Sequence, residues 1–224
     1  ECVAIGMEAL RANTTGSYNV GIGSSALKDN TTGRFNIAIG RFALRNNTTA
    51  SGTVAIGNSA LDTNTTGKEH VAIGLNALYS NTTGIRNTAM GNAVLENNVT
   101  GSNNVAIGYE AMHDSTQGDN CIVIGANAEP STTTTSNEAT IGDSNITTLR
   151  TAGNILPFTD DAQNLGSPTL QWANVYTGDL HLNNESKTKG NEFDGTKGNW
   201  TIQEGATDLF IKNNKTGKKY KFKL

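Results

Sequence analysis

The distal part of the chain carries the residue types that could do chemistry. Asp160 with Asp161, and Glu192 with Asp194, are paired carboxylates. Glycoside hydrolysis needs two carboxyls held about 5 to 9.5 Å apart across a bound sugar, and adjacency in sequence does not supply that separation. Capping of turns by short acidic side chains accounts for these acids more simply. A Ser, His and acid triad has no distinguished member here, because His70 and His113 sit at repeat edges and only His181 lies in the distal part. Brought together from several copies of the chain, His181 would make a metal-ligand set. No His-x-His pair reinforces it, so a structural role is the expectation, with no metal, no cofactor and no catalysis.

The same region has the makings of a recognition surface. Phe210, Tyr220, Phe222 and Leu224 alternate with Lys219, Lys221 and Lys223 across an Asn213-Asn214-Lys215-Thr216-Gly217 turn, which predicts a hairpin with one apolar and one basic face. Six lysines among the last thirteen residues suit anionic glycans or lipid phosphates. A lysine stripe also discourages edge-to-edge aggregation. Trp200 and Tyr176 offer flat faces to sugar rings, with packing as the alternative use. The candidate receptor-binding residues are therefore Trp200, Lys215, Lys218, Lys219 and Lys221.

What must position them is a repeat. Glycine recurs every seventeen residues at Gly6, Gly23, Gly40, Gly57, Gly74, Gly91, Gly108, Gly125 and Gly142, without a slip. Each unit is one coil that cannot bury its own apolar face and must stack on its neighbours, which predicts a solenoid. Ahead of the glycine stand triplets such as Val3-Ala4-Ile5, Ile37-Ala38-Ile39 and Val71-Ala72-Ile73, the period of a short strand with a bulky and a flat face. The expectation is that the bulky face fills the coil and the flat alanine face admits another backbone. After the glycine comes Ala-Leu, as at Ala26-Leu27 and Ala60-Leu61, a leucine ladder shielding the interior at about 1.5 to 3 kcal/mol per leucine. The turn Asn-Thr-Thr-Gly follows, as at Asn30 to Gly33, in which Asn is expected to take left-handed backbone and Gly a positive φ. The array frays where Glu129 takes the leucine position and Thr132 to Thr135 replace the turn.

Composition sets the outer limits. Aromatic residues are 6% and charged residues 17% of 224, a diet for turns and short strands rather than helices. Eight basic residues face twelve acidic ones up to position 150, and nine face eight beyond it, so neither half has the basic excess of a nucleic-acid binder. No apolar run approaches the roughly 20 residues needed to span a bilayer. The composition shift near Asn145 favours two domains, and the start at Glu1 inside a repeat suggests a segment of something longer. Cys2 and Cys121 stand on one stripe, four residues before a repeat glycine, but seven coils apart. At about 4.8 Å per coil that is roughly 34 Å, far beyond the Cα separation of about 7 Å that a disulfide bridges. Free thiols in a position usually held by Asn are expected, with contact to a neighbouring chain's thiol as the alternative.

Seventeen residues give a thin coil whose alanine stripe would be left wet, so a partner chain along that stripe is expected. The unit Asn36-Ile37-Ala38-Ile39-Gly40, with variants at Asn19, Asn87 and Asn104, resembles the head repeat of trimeric autotransporter adhesins. The longer form with Ala-Leu and Asn-Thr-Thr-Gly is similar to repeats common in phage tail fibres. This resemblance covers residues 1–146 and implies a left-handed parallel β-roll, homotrimeric, with three chains about a threefold axis. Leu156-Pro157, Asp160-Asp161-Ala162, Leu165-Gly166-Ser167, Trp172 and Val175-Tyr176-Thr177-Gly178 resemble a module near the distal end of phage tail fibres. There it often precedes a self-cleaving chaperone with a Ser and Lys pair, for which the 46 residues after Gly178 are too few. The segment from Asn191 to Phe222 is similar to the tips of marine phage structural proteins.

Together these readings predict an all-β chain: a repeat shaft over 1–146, a junction module over 147–180 and a C-terminal β tip over 181–224. The resemblance implies the receptor-facing end of a phage tail fibre, non-enzymatic, in the virion. Its partners would be its own copies, other tail proteins and a bacterial surface glycan or outer-membrane receptor. A bacterial surface adhesin is the alternative within binding, and a glycan depolymerase the alternative outside it.

Overall fold

The computed structural model describes residues 1–152, 154–156, 165–169, 171, 173, 175, 177, 179–183, 197–204 and 209–222. Two compact units divide the chain, Glu1–Leu149 and Arg150–Leu224. Each is all-β among the described residues, the first a parallel β-solenoid of about eight turns and the second an antiparallel sheet.

In the solenoid, nine three-residue strands stack in chain order: β1 (Val3–Ile5), β2 (Val20–Ile22), β3 (Ile37–Ile39), β4 (Val54–Ile56), β5 (Val71–Ile73), β6 (Thr88–Met90), β7 (Val105–Ile107), β8 (Ile122–Ile124) and β9 (Ala139–Ile141). Every strand pairs with the next in the same register, Val20 opposite Ile37 and Ile37 opposite Val54, so the seventeen-residue period is the rise of one coil. Bonds between coils continue outside the strands, from Leu27 N to the Ala43 carbonyl (3.0 Å) and from Thr31 N to the Thr48 carbonyl (2.9 Å). At the repeat glycine a positive φ coincides with a close neighbouring backbone. Gly6 has φ +125°, and a Cβ there would lie 2.7 Å from the carbonyl carbon of Gly23. No other residue meets both conditions.

The strand faces point the opposite way from the sequence expectation. Ala38, Ala55, Ala72, Ala89 and Ala106 are fully buried, whereas Ile37 and Ile39 are 38% and 37% exposed. The coil is too thin for a branched side chain opposite the leucine ladder. A Cβ on Gly21, the inward residue of β2, would already sit 3.4 Å from Leu10 Cγ. The alanine seam is therefore closed by its own coil, and the wet surface is the Val/Ile one. Where Glu129 takes the leucine position, Val123 takes the inward one.

The left-handed residues also differ from expectation. Leu10, Leu27, Leu44, Leu61, Leu78, Leu95 and Met112 carry φ of +49° to +54°, a region costing L-residues about 1 to 2 kcal/mol each. The turn glycines Gly16, Gly33, Gly67, Gly84, Gly101 and Gly118 do not have positive φ. A Cβ on Gly67 would meet the amide of Asn81 at 2.8 Å, so contact and not backbone angle selects glycine there. The strain in the leucines persists because buried stacking fixes the chain on both sides of them.

The turn asparagines serve as an interior ladder. Asn30, Asn47, Asn64, Asn81 and Asn98 each donate from Nδ2 to Oδ1 of the Asn one coil earlier, at 2.8 to 3.1 Å. A second buried column uses Asn19, Asn36, Asn87 and Asn104, whose Oδ1 accepts the next coil's backbone N–H at 2.9 to 3.1 Å. Nδ2 in this column donates to the carbonyl fourteen residues on, at 2.7 Å from Asn87. Cys121 replaces Asn in this column, is fully buried and free, and points its thiol at the Thr135 carbonyl (3.3 Å). Its burial removes it from any contact with a neighbouring chain; Cys2 is free and exposed.

His70 is another such replacement. Its Nδ1 accepts the Asn87 N–H (3.2 Å) where Asn would offer Oδ1, and the ring also bonds the Gly84 carbonyl, so the neutral Nε2–H tautomer mimics an amide. Burial, opposed by those backbone bonds and by Glu69, pushes its pKa down from 6.5 to about 4. The unfolded chain thus binds the proton first, and stability present above pH 6.5 is lost as pH falls towards 4. The loss amounts to about 3 kcal/mol per chain. Denaturant midpoints measured across that range should fall for the natural chain and fall less for His70→Asn, which fits the column as Asn36 and Asn87 do. Parallel titrations of the two proteins would remove this role for His70.

Candidate receptor-binding surfaces

The second unit carries the predicted binding residues on a four-stranded antiparallel sheet ordered β10 (Asp179–Asn183), β11 (Asn199–Glu204), β12 (Leu209–Asn213) and β13 (Lys219–Lys221). Cross-strand partners share a face. Trp200 pairs with Leu182 and Asn213, Ile202 with Leu180 and Ile211, and Ile211 with Tyr220, which makes one apolar face. On it the Trp200 and Tyr220 rings lie 6.0 Å apart at 44°. The other face holds His181, Thr201, Lys212 and Lys219 in one row and Phe210 with Lys221 in the next.

Trp200 is thereby separated from Lys219 and Lys221 by the thickness of the sheet, and the five predicted residues do not form one patch. Lys215 and Lys218 stand in the exposed turn between β12 and β13. Phe210, expected with the apolar residues, lies with the lysines because it pairs with Lys221 and not with Tyr220. Lys212, absent from the predicted set, sits directly opposite Lys219. Like charges facing across a strand pair are unfavourable, and an anion over this face would relieve them. His181 Nδ1 lies 2.8 Å from the buried Thr201 hydroxyl, which Asn214 Nδ2 also contacts at 2.9 Å, so the ring is tied into its own sheet. Asp160, Asp161, Glu192, Asp194, Pro157, Trp172, Tyr176, Gly178, Lys223 and Leu224 lie outside the described residues. Among the described residues no group of three or more His, Cys, Asp or Glu is arranged to hold a metal ion. No described helix is long and apolar enough to cross a membrane.

A second polar site lies on the solenoid, in a cleft lined by Glu110, His113, Asp114, Asn127 and Glu129. His113 Nδ1 lies 2.9 Å from Asp114 and Nε2 lies 3.4 Å from Glu96. Burial opposes charge on this ring, but Asp114, Glu96 and Glu110 outweigh it and raise its pKa above 6.5. Burial, ahead of the bonds from Asp114 and His113 that oppose it, raises that of Glu129. No signal in the sequence marked this cleft, since its members are scattered over two coils. No family model, curated protein or solved structure matches the chain.

Two measurements check these surfaces. His113 favours its charged form in the fold, so its contribution is present below pH 6.5 and lost as pH rises through its folded pKa. His113→Gln should therefore destabilise the solenoid more in mild acid than in mild alkali, the reverse of the sign for His70. On the sheet, Lys219→Gln should raise stability by about 0.5 kcal/mol at low ionic strength, and the gain should vanish in high salt. An equal gain at both ionic strengths would mean that charge is not its origin.

Proposed function

We propose that the chain is the distal, receptor-facing part of a homotrimeric adhesive fibre, with a left-handed roll as shaft and the lysine-bearing sheet as contact surface. The observation that carries this reading is the outward aliphatic face of the solenoid. In the column from Ile5 to Ile141, Ile39, Ile73 and Ile107 are exposed while Ile22 and Ile56 are half-buried, beside a second column in which Val3, Ile37 and Ile122 are exposed. At about 4.8 Å per strand the nine strands give two apolar rows near 40 Å long, a patch of several hundred Å², the size that marks an interaction surface.

A sister chain fits this face better than an unrelated one, because only a stack with the same rise keeps its side chains in step over nine coils. Identical chains that meet side by side through heterologous contacts form a ring when the rotation closes. Three as the number, and the left hand of the roll, come from the resemblance to trimeric adhesin heads. Three tethered copies of a weak site also gain avidity without any new contact. The basic face of the sheet suits an anionic glycan on a bacterial surface.

The full chain should sediment as three chains of 23.5 kDa each at micromolar concentration, and Ile73→Glu with Ile107→Glu should release monomers with unchanged β content. The labelled trimer should bind a subset of a panel of bacterial strains, competed by purified surface polysaccharide whose chain length stays constant. A well-behaved natural monomer, or a trimer that no strain retains, would defeat this reading; shortened polysaccharide would replace it with a depolymerase.

A further inference from the structure

One outer corner of the solenoid departs from its own pattern. The column two residues before each strand runs Tyr18, Phe35, Gly52, Glu69, Arg86 and Asn103, all with φ between +56° and +71°. Asn, which tolerates this backbone, also fills it at Asn120 and Asn137. Aromatic residues do not favour it. Yet Tyr18 and Phe35 occupy it while 59% and 61% exposed, their rings stacked 5.1 Å apart at 8°. They neither fill a core nor suit the turn, so folding does not explain them.

The ring spacing is one coil, so the rings lie across the solenoid axis and their faces look along it. Tyr18 covers one face of Phe35. Above the other face stands Gly52, where an added Cβ would meet only Glu69 Cγ, at 3.8 Å. The missing side chain opens a slot two coils high, with Phe35 as floor and Glu69 as roof. With one coil of about 4.8 Å from Phe35 to Gly52 and 3.8 Å from there to Glu69 Cγ, the walls are at most about 8.6 Å apart. A saturated ring between two walls needs a contact of about 3.5 to 4.0 Å on each face, which the slot allows with room for pucker. Its rim is polar. Glu69 is held by Arg86 Nε at 2.8 Å and Lys68 Nζ at 3.9 Å, and the Ser51 hydroxyl accepts Arg34 N–H at 2.9 Å.

We infer that this slot binds one neutral pyranose unit of a glycan, its C–H face on Phe35 and its hydroxyls on Glu69, Arg86 and Ser51. The carboxylate accepts, the guanidinium donates, and the aromatic face takes the apolar side of the ring. The biological sense of the site rests on the adhesive reading above, but its chemistry is complete within one chain.

Saturation-transfer NMR and titration with methyl glycosides of glucose, galactose, mannose and N-acetylglucosamine test it on the full chain. At least one should receive magnetisation and bind in the millimolar range. Phe35→Asn removes the floor and Gly52→Asn fills the slot, each with a residue this column already accepts. Both should weaken binding about tenfold without lowering the thermal midpoint. No transfer to any of the four glycosides, or equal binding by the natural chain and both variants, would overturn the inference. So would a fall in assembly mass in Phe35→Asn, which would make the corner a contact between chains. Because the probe is a free sugar, these results stand apart from whether the chain trimerises or holds cells.

Discussion

Backbone against backbone at one fixed rise is the constraint from which the solenoid follows. From Gly6 to Gly108 the next coil's carbonyl lies where a Cβ on the repeat glycine would be, as Gly23 does above Gly6. A single inserted residue between two such glycines would move every interior column out of line at once. Leu27 would no longer sit on Leu44, nor Asn30 below Asn47, and the amide bonds between those asparagines would be left open inside the coil. A buried donor or acceptor without a partner costs about 1 to 3 kcal/mol, so the ladder enforces the register that the glycines permit. The end of the ladder illustrates the point, since Ser115 follows Asn98 and leaves its Oδ1 without a partner.

The period and the strands were legible because glycine and the Val-Ala-Ile triplet repeat together. Which strand face is inside was not. Alternation states that two faces differ; the volume between strand and leucine ladder decides their direction, and that volume is a property of the closed coil. The usual preference for burying the larger residue gives way here to the space left by Leu10 opposite Gly21. In the same way, Asn-Thr-Thr-Gly carries the composition of a turn, and its asparagines do occupy one. Their side chains, though, work between coils, and the left-handed backbone falls on leucines that propensity would never nominate. In the sheet, lysine and aromatic alternation gave the two faces of β13, but the pairing of Phe210 with Lys221 depends on the register of the turn between them.

A lattice of near-identical coils repeats its interior columns and leaves few positions for a unique site. Individual character enters where a column changes occupant. His70 in an asparagine column is a buried titratable group whose pKa burial lowers to about 4, while Gly52 in a corner column opens a slot. Glu129 in the leucine column helps line the cleft around His113. Each change leaves the backbone path intact because main-chain bonds between coils continue past it. Function can thus be written into single coils without disturbing their neighbours, provided the replacement satisfies the same donors or leaves open space towards solvent.

The final coil ends the solenoid's own stack in polar groups. Glu138 stands in the column that Asn19, Asn36, Asn87 and Asn104 share, and accepts from Ser131 N (3.0 Å), the Ser131 hydroxyl (2.7 Å) and the Thr140 hydroxyl (3.0 Å). Those bonds, Ser131 first, hold its pKa below the usual carboxylate value. Thr140 replaces the inward alanine, so the axial edge ends in polar groups, as a terminal repeat must. The lateral face receives no such treatment. From Ile5 to Ile141 its outward positions stay aliphatic apart from Thr88 and Ala139, with Met90 continuing the row. One edge is finished for water and the other is not, and a sister chain along the unfinished one is the cover that the proposed fibre supplies.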